Sequence, residues 1–259
     1  MAWGLAACLL AAVVAAAVGL LTGSVRLDPA ALLAGRAPDA TIFVQVRLPR
    51  VLLALLVGGA LAVSGAALQP TLRNPLASPD IIGVSGGAAL AAVLALAAGA
   101  DVAGAFLPLV AFGGAVVSTA LVYRLSLVRG RLEPVTQVLV GVIFNTFAAS
   151  LILLSSAVVD LSRSHSIVFW LMGGIAVYPY GVLGVAAVLV VVGSLVLVRD
   201  APALNLLALG DEAAEHLGVE LGAVRRRVFG ASALLVGAVV SLTGVITFVG
   251  LIVPHVLRR

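Results

Sequence analysis

Eight apolar runs, most of them close to twenty residues long, dominate this chain: 2–21, 51–70, 82–100, 105–125, 135–159, 180–198, 226–243 and a short, glycine-interrupted one at 244–257. A helix rises about 1.5 Å per residue, so about twenty residues cross a hydrocarbon layer of about 30 Å. No water is available there to satisfy backbone N–H and C=O groups, and a helix closes those bonds within itself. The chain is 63% hydrophobic and only 10% charged, far below the charge content of a soluble domain. The expected fold is all-α, a polytopic transmembrane helical bundle. A single membrane domain covers residues 1–259, with no low-complexity linker and no internal repeat.

All 15 basic residues are arginine. Without lysine, a phosphate-binding loop of the G-x-x-x-x-G-K-[ST] type is excluded, as is Schiff-base chemistry. The formal charge of +4 does not point to nucleic acid, because the arginines lie between the apolar runs and read as a topology signal. With the N-terminus placed in the cytoplasm, Arg73, Arg124, Arg129, Arg131, Arg199, Arg225, Arg226, Arg227, Arg258 and Arg259 fall inside. Arg26, Arg36, Arg47, Arg50 and Arg163 fall outside, four of them crowded into the single loop 22–50. Cys8 is the only cysteine, so no internal disulfide forms, and no basic residue precedes it to make a signal peptide.

Four polar or broken segments stand out against this background. "RNPLASPDIIGVSGG" at 73–87 joins the second and third runs. Pro75 and Pro79 stop a helix from running through, Asn74, Ser78 and Asp80 can satisfy turn backbone, and Ser78 or Asp80 can cap the next helix. A structural turn needs fewer such residues, and both a structural and a functional reading stay open. "RDAPALNLLALGDEAAEHLGVELGAVRRR" at 199–227 is the longest inside loop. Pro202 can open a helix there and Gly218 close it, with Leu204, Leu207, Ala208 and Leu217 as an apolar stripe and Asp211, Glu212 and Glu215 on a polar side. Acidic residues disfavour an anionic lipid surface, so a partner protein is the better occupant of that stripe.

"RLPR" at 47–50 sets Arg47 and Arg50 at the outer surface, where snorkelling to lipid phosphate competes with a docking role. "GVITFVGLIVPHVLRR" at 244–259 holds Pro254, which kinks or ends a short helix. His165, His216 and His255 lack ligand spacing, so neither a metal site nor a cofactor is expected. No acidic residue sits mid-run, which removes the usual relay of a proton-coupled carrier. Small residues at four-residue spacing, Gly58 with Ala62, Ala60 with Ser64 and Gly83 with Gly87, suit close helix packing.

Taken together, "RLPRVLLALLVGGALAVSGAALQPTLRNPLASPDIIGVSGGAAL", "LALGDEAAEHLGV" and "ITFVGLIVPHVLRR" resemble the FecCD-type family. Its members are the membrane permease subunits of binding-protein-dependent ABC importers for iron–siderophores, haem and cobalamin. The resemblance implies a bacterial plasma (inner) membrane protein with a cytoplasmic N-terminus and no enzymatic activity of its own. It implies a second permease subunit, cytoplasmic ATP-binding subunits and an extracytoplasmic substrate-binding protein as partners, with a ferric siderophore first among the ligands. Asn74, Pro75 and Leu76 would belong to the cytoplasmic gate and pathway. Leu207, Ala208, Leu209, Gly210, Asp211, Glu212, Leu217 and Gly218, within a segment at about 200–224, would couple to the ATPase. Arg47 and Arg50 would dock the binding protein. Family members carry two further spans beyond "PHVLRR", so about eight of an expected ten are present. The alternative, a secondary transporter or channel, calls for intramembrane charges or a repeated half, and a membrane enzyme calls for a reactive cluster; the sequence displays neither.

Overall fold

The structure, a computed structural model, describes residues 2–101 and 106–257. Arg258 and Arg259, counted above with the inside arginines, lie outside that range. The first helix, α1 (Ala2–Leu21), touches little but the helix that follows the loop. Two short helices, α2 (Pro29–Leu33) and α3 (Asp39–Ile42), lead through a π-helical turn, Phe43–Arg47, into α4 (Leu48–Thr71). Pro49 explains that turn. It has no N–H to offer the carbonyl four residues back, and the wider i→i+5 turn, closed by Leu48 N–H onto Phe43 O, absorbs the mismatch.

After α5 (Val84–Ala97) and α6 (Phe106–Leu125), a two-residue hairpin of β1 (Leu127–Val128) and β2 (Arg131–Leu132) returns the chain to α7 (Pro134–Val158). Glu133 caps α7 by accepting from Thr136 N–H, and that bond holds its carboxyl below the usual carboxylate range. Next come α8 (Leu161–Leu171), capped by Asp160, and α9 (Tyr180–Arg199). Two short helices, α10 (Ala201–Leu207) and α11 (Asp211–His216), precede α12 (Leu221–Thr243) and α13 (Val249–Leu257). Among the described residues five helices are long and apolar enough to cross a membrane, the first of them running continuously over Asp39–Thr71. The runs at 82–100 and 244–257 yield shorter helices of 14 and 9 residues, because polar or glycine-rich backbone takes the rest of each run.

The central post is α12. It is 78% buried over its apolar window, against 17% for α7, and α4, α5, α6 and α9 pack around it. α7 instead shows most of its length to the surroundings. Since lipid is as apolar as leucine, the interior is held by close backbone approach more than by water exclusion. A Cβ on Gly65 of α4 would lie 1.8 Å from Gly250 O of α13. Gly87 of α5 and Gly114 of α6 also meet closely: a Cβ on either would lie 2.6 or 2.5 Å from the other's carbonyl oxygen. Gly58, expected in the same packing role, faces open space.

Three segments interrupt the α-helices of the bundle, the first holding a 3-10 turn at Pro79–Ile82. The turn 72–83 is one: Asn145, the twelfth residue of α7, donates to Asp80 O at 2.9 Å, and Ser118 of α6 donates to Gly83 O at 2.8 Å. Those partners lie about 16 Å and about 10 Å along their helices from the ends at Pro134 and Leu125. The turn therefore dips into the bundle rather than resting on its surface, and it carries Asp80 with it. Neither Ser78 nor Asp80 caps α5; Gly83, at φ +81°, occupies that position, while Asp80 accepts from Ser85 Oγ at 2.5 Å.

The other two interruptions, 172–179 and 244–248, meet each other. Gly174 N–H donates to Thr243 O at 2.7 Å and Tyr178 Oη to Leu242 O at 2.8 Å. Gly244, at φ +70°, brings its Cα so close to Trp170 O that a Cβ would sit 2.2 Å away.

The α4–α13 contact gives the first test. Gly65→Val should lower stability by about 1–3 kcal/mol, because the backbone of α13 cannot yield as a side chain would. Gly58→Ala, on the same helix, should be neutral or slightly stabilising. Thermal unfolding of both variants in detergent measures the contrast; equal midpoints would remove the tight contact.

Candidate functional site

The connection between α9 and α12 departs from the expected single helix over 204–217. Gly210, at φ +117°, breaks it into α10 and α11. Leu204 and Leu207 on α10 and Ala214 on α11 are buried, so both short helices turn an apolar side inward. Asp211 and Glu212 then open α11, where carboxylates favour the positive end of the helix dipole. Gly218, at φ +84°, closes the segment as the sequence suggested.

Asp211 is the hub. Arg225 of α12 donates from Nη2 to both of its carboxylate oxygens, at 2.9 and 3.0 Å, and from Nη1 to Leu132 O of the hairpin at 3.1 Å. The Arg225 side chain is 5% exposed. Arg73, in the turn after α4, reaches the same carboxylate at 3.6 Å and holds φ +48°. One carboxylate thus joins four parts of the chain: the turn after α4, the hairpin through Arg225, α11 and α12. Close by, Arg227 grips the buried Asp200 with two bonds, at 2.7 and 2.9 Å. Planar guanidinium and carboxylate groups match in this fork geometry, which fixes orientation as well as charge.

A groove of about 810 Å³ lies between the turn and the loop. Asn74 and Pro75 line one wall, and Ala208, Leu209 and Gly210 the other. Asn74 Oδ1 accepts from Leu76 N–H, which stiffens the turn, while the Leu76 side chain is 69% exposed. Leu207 is fully buried and anchors α10; Ala208, Leu209, Glu212, Leu217 and Gly218 are exposed. Two of the three turn residues and three of the coupling residues expected from the sequence therefore share one groove.

At the opposite end of the bundle the two arginines of "RLPR" part company. Arg47 is buried: its guanidinium donates to Leu20 O at 2.8 Å and to Val25 O, and Gly23 leaves the space it occupies. It ties the end of α1 to α4. Arg50 is exposed at the surface, as are Arg26 and Arg36. Among the described residues no group of three His, Cys, Asp or Glu side chains comes together.

The sequence profile of the FecCD transport family matches residues 8–259. The chain belongs to that family. It is 39% identical over 214 residues to the cobalamin import permease BtuC of Halobacterium salinarum, a match covering 82% of this chain and 57% of that protein. It is 37% identical to the hemin transport permease HmuU of Yersinia pestis, over 84% of this chain and 66% of that one. With the Fe(3+)-citrate permease YfmD of Bacillus subtilis the identity is 35%, over 84% and 64%. This FecCD chain thus spans about three-fifths of the length of the relatives it matches. A solved ABC transporter, by its description of metal-chelate type and inward-facing, superposes with a TM-score of 0.81 at 33% identity, over 98% of this chain and 79% of that one.

Reading the sequence missed Arg73, Asp200, Arg225 and Arg227 as site residues, because the arginines had been counted only as a topology signal. The lone Asp200 directly after Arg199 was the available hint that charges in this loop pair internally. The hub makes a stability prediction. Asp211→Ala leaves Arg225 buried without its partner and should cost about 3 kcal/mol. Arg131→Ala, which removes an exposed pair at 3.9 Å from Glu215, should cost less than about 1 kcal/mol. Denaturation midpoints of the two variants, measured side by side, check the difference.

Proposed function

We propose that this FecCD protein is the membrane-spanning permease subunit of an ABC importer. It would form the path for a metal-chelate ligand that an extracytoplasmic binding protein delivers and a separate cytoplasmic ATPase drives inward. The observation that carries the reading is the Asp211 hub. A carboxylate at the start of an exposed loop helix is bonded to α12 and to Arg73, the residue beside Asn74, Pro75 and Leu76. A push on α11 from outside the bundle would therefore reach a turn that dips into it. The names of the relatives support the import of cobalamin, haem or ferric chelates as the ligand class, and a ferric siderophore is the first candidate.

In this reading the protein sits in the bacterial inner membrane, with its N-terminus and its arginine-rich end in the cytoplasm. Residues 1–259 act as one permease domain, paired with a second permease subunit, alike or paralogous. The segment at about 200–224 couples to the ATPase: Leu207 anchors it, Ala208, Leu209, Glu212, Leu217 and Gly218 present its surface, and Gly210 and Asp211 transmit the load. Asn74, Pro75 and Leu76 form the inner gate. The docking role foreseen for Arg47 and Arg50 falls to Arg50 and its exposed neighbours, since the Arg47 guanidinium is committed to α1.

Two substitutions separate the two ends of the machine. Leu209→Arg with Leu217→Arg alters exposed side chains only, so the complex should insert normally yet lose its ATPase during purification. Arg50→Glu should keep the ATPase but weaken binding-protein affinity about tenfold, with the wild-type affinity falling as salt rises. Retention of the ATPase by the first variant would overturn the coupling assignment. Salt-independent, unchanged affinity in the second would return Arg50 to the lipid headgroups.

A further inference from the structure

The inference concerns a face the import reading does not use. Between α6 and α12 runs a groove of about 350 Å³, distinct from the one beside Asn74. Its walls are apolar: Val116 and Ala120 on α6, Gly230, Ala233 and Leu234 on α12. Its floor is the Tyr123–Phe229 pair, with ring centroids 5.6 Å apart. Thr119, also on the lining, uses its hydroxyl on its own helix, donating to Ala115 O at 2.8 Å. At one end stand two arginines, Arg124 and Arg226, both exposed. No acidic side chain lines the groove, and neither arginine makes an ion pair among the described residues.

The register of the two helices makes this arrangement directional. α6 runs toward the arginine-rich end of the bundle and α12 away from it, so Arg124, near the end of one, and Arg226, near the start of the other, line the same end of the groove. From Arg124 back to Val116, and from Arg226 on to Leu234, each wall extends about 12 Å toward the middle of the membrane. The shape is a slot with a cationic mouth and an apolar length running along the two helices. The slot is open at Gly230, where a Cβ would find no atom within 4 Å.

We propose that this groove binds an anionic phospholipid, with its phosphate between Arg124 and Arg226 and the upper part of one acyl chain along Ala120, Gly230 and Ala233. Charge complementarity selects this occupant. Two unpaired guanidinium groups attract a phosphate, with which arginine forms forked hydrogen bonds. A second protein helix would have to bring carboxylates to the same level, while a zwitterionic lipid would present its own cation to the pair. Basic pockets between membrane helices are established headgroup sites in general. The site would make the protein sensitive to the anionic content of the leaflet at its arginine-rich end.

The test uses the full-length protein in mild detergent, equilibrated with equal amounts of phosphatidylglycerol and phosphatidylcholine of the same acyl chains and read by native mass spectrometry. Wild type should retain phosphatidylglycerol about tenfold more than phosphatidylcholine. Arg124→Gln with Arg226→Gln should erase that preference. Gly230→Leu, whose Cβ has open space and whose longer side chain would occupy the slot, should lower retention of the anionic lipid while the protein stays folded by circular dichroism. Equal retention of the two lipids by wild type would overturn the proposal, as would wild-type retention in the Gly230 variant. Displacement of phosphatidylglycerol by inorganic phosphate at equal concentration would assign the arginines to a free anion instead. Exclusion of both lipids from wild type would assign the groove to a protein helix.

Discussion

Backbone polar groups that leave a helix inside an apolar bundle must find partners within the protein, and much of this architecture answers that demand. The turn 72–83 enters the bundle because Asn145 and Ser118 wait for its carbonyl groups. The largely exposed segment 172–179 is tied to the end of α12, through Gly174 with Thr243 and Tyr178 with Leu242. Hydrogen bonds of this kind are worth little when water competes, but an unmade one in hydrocarbon costs several kcal/mol. These bonds therefore decide where the chain can be irregular, and hence where it can be something other than a stack of rods.

Irregularity is also where the candidate functional residues lie. A straight α5 would have begun at the membrane surface and left Asn74, Pro75 and Leu76 in an ordinary loop. The break at Gly210 makes Asp211 the first residue of α11, and from there it meets Arg225. The glycines at 83 and 210 permit both departures, since each holds a positive φ that a side chain would resist. Around them α12 stays regular and buried, and it gives Arg225 and Arg227 a fixed base from which to hold Asp211 and Asp200. A regular, buried post thus anchors the broken loop between α9 and α12 at two carboxylates.

The two buried arginines show how position changes the role of one residue type. Arg225 and Arg47 are both nearly inaccessible, yet one meets a carboxylate and the other only backbone carbonyls. Arg47 works as a C-terminal cap for α1, a natural place for a cation given the helix dipole. Arg124 and Arg226, by contrast, remain exposed beside an apolar groove. Counting arginines by loop could rank the two sides of the membrane, but it could not sort these three circumstances.

The sequence by itself determined that this chain is a bundle of membrane helices, because run length and hydrophobicity answer to the thickness of the bilayer and not to any detail of packing. It also marked the break at 73–83, since its prolines act locally, but not the one at Gly210, and its motifs carried the resemblance to the FecCD family over the turn at 73–87 and the loop at 199–227. Tertiary structure alone decided how deep that turn reaches, which of the two arginines in "RLPR" is free, and that Asp211 joins Arg73 to Arg225 across 138 and 14 residues of chain. Such pairings depend on which helix faces meet. In a bundle whose interior and surroundings are equally apolar, hydrophobic pattern does not announce those faces; small-residue contacts and buried polar bonds select them.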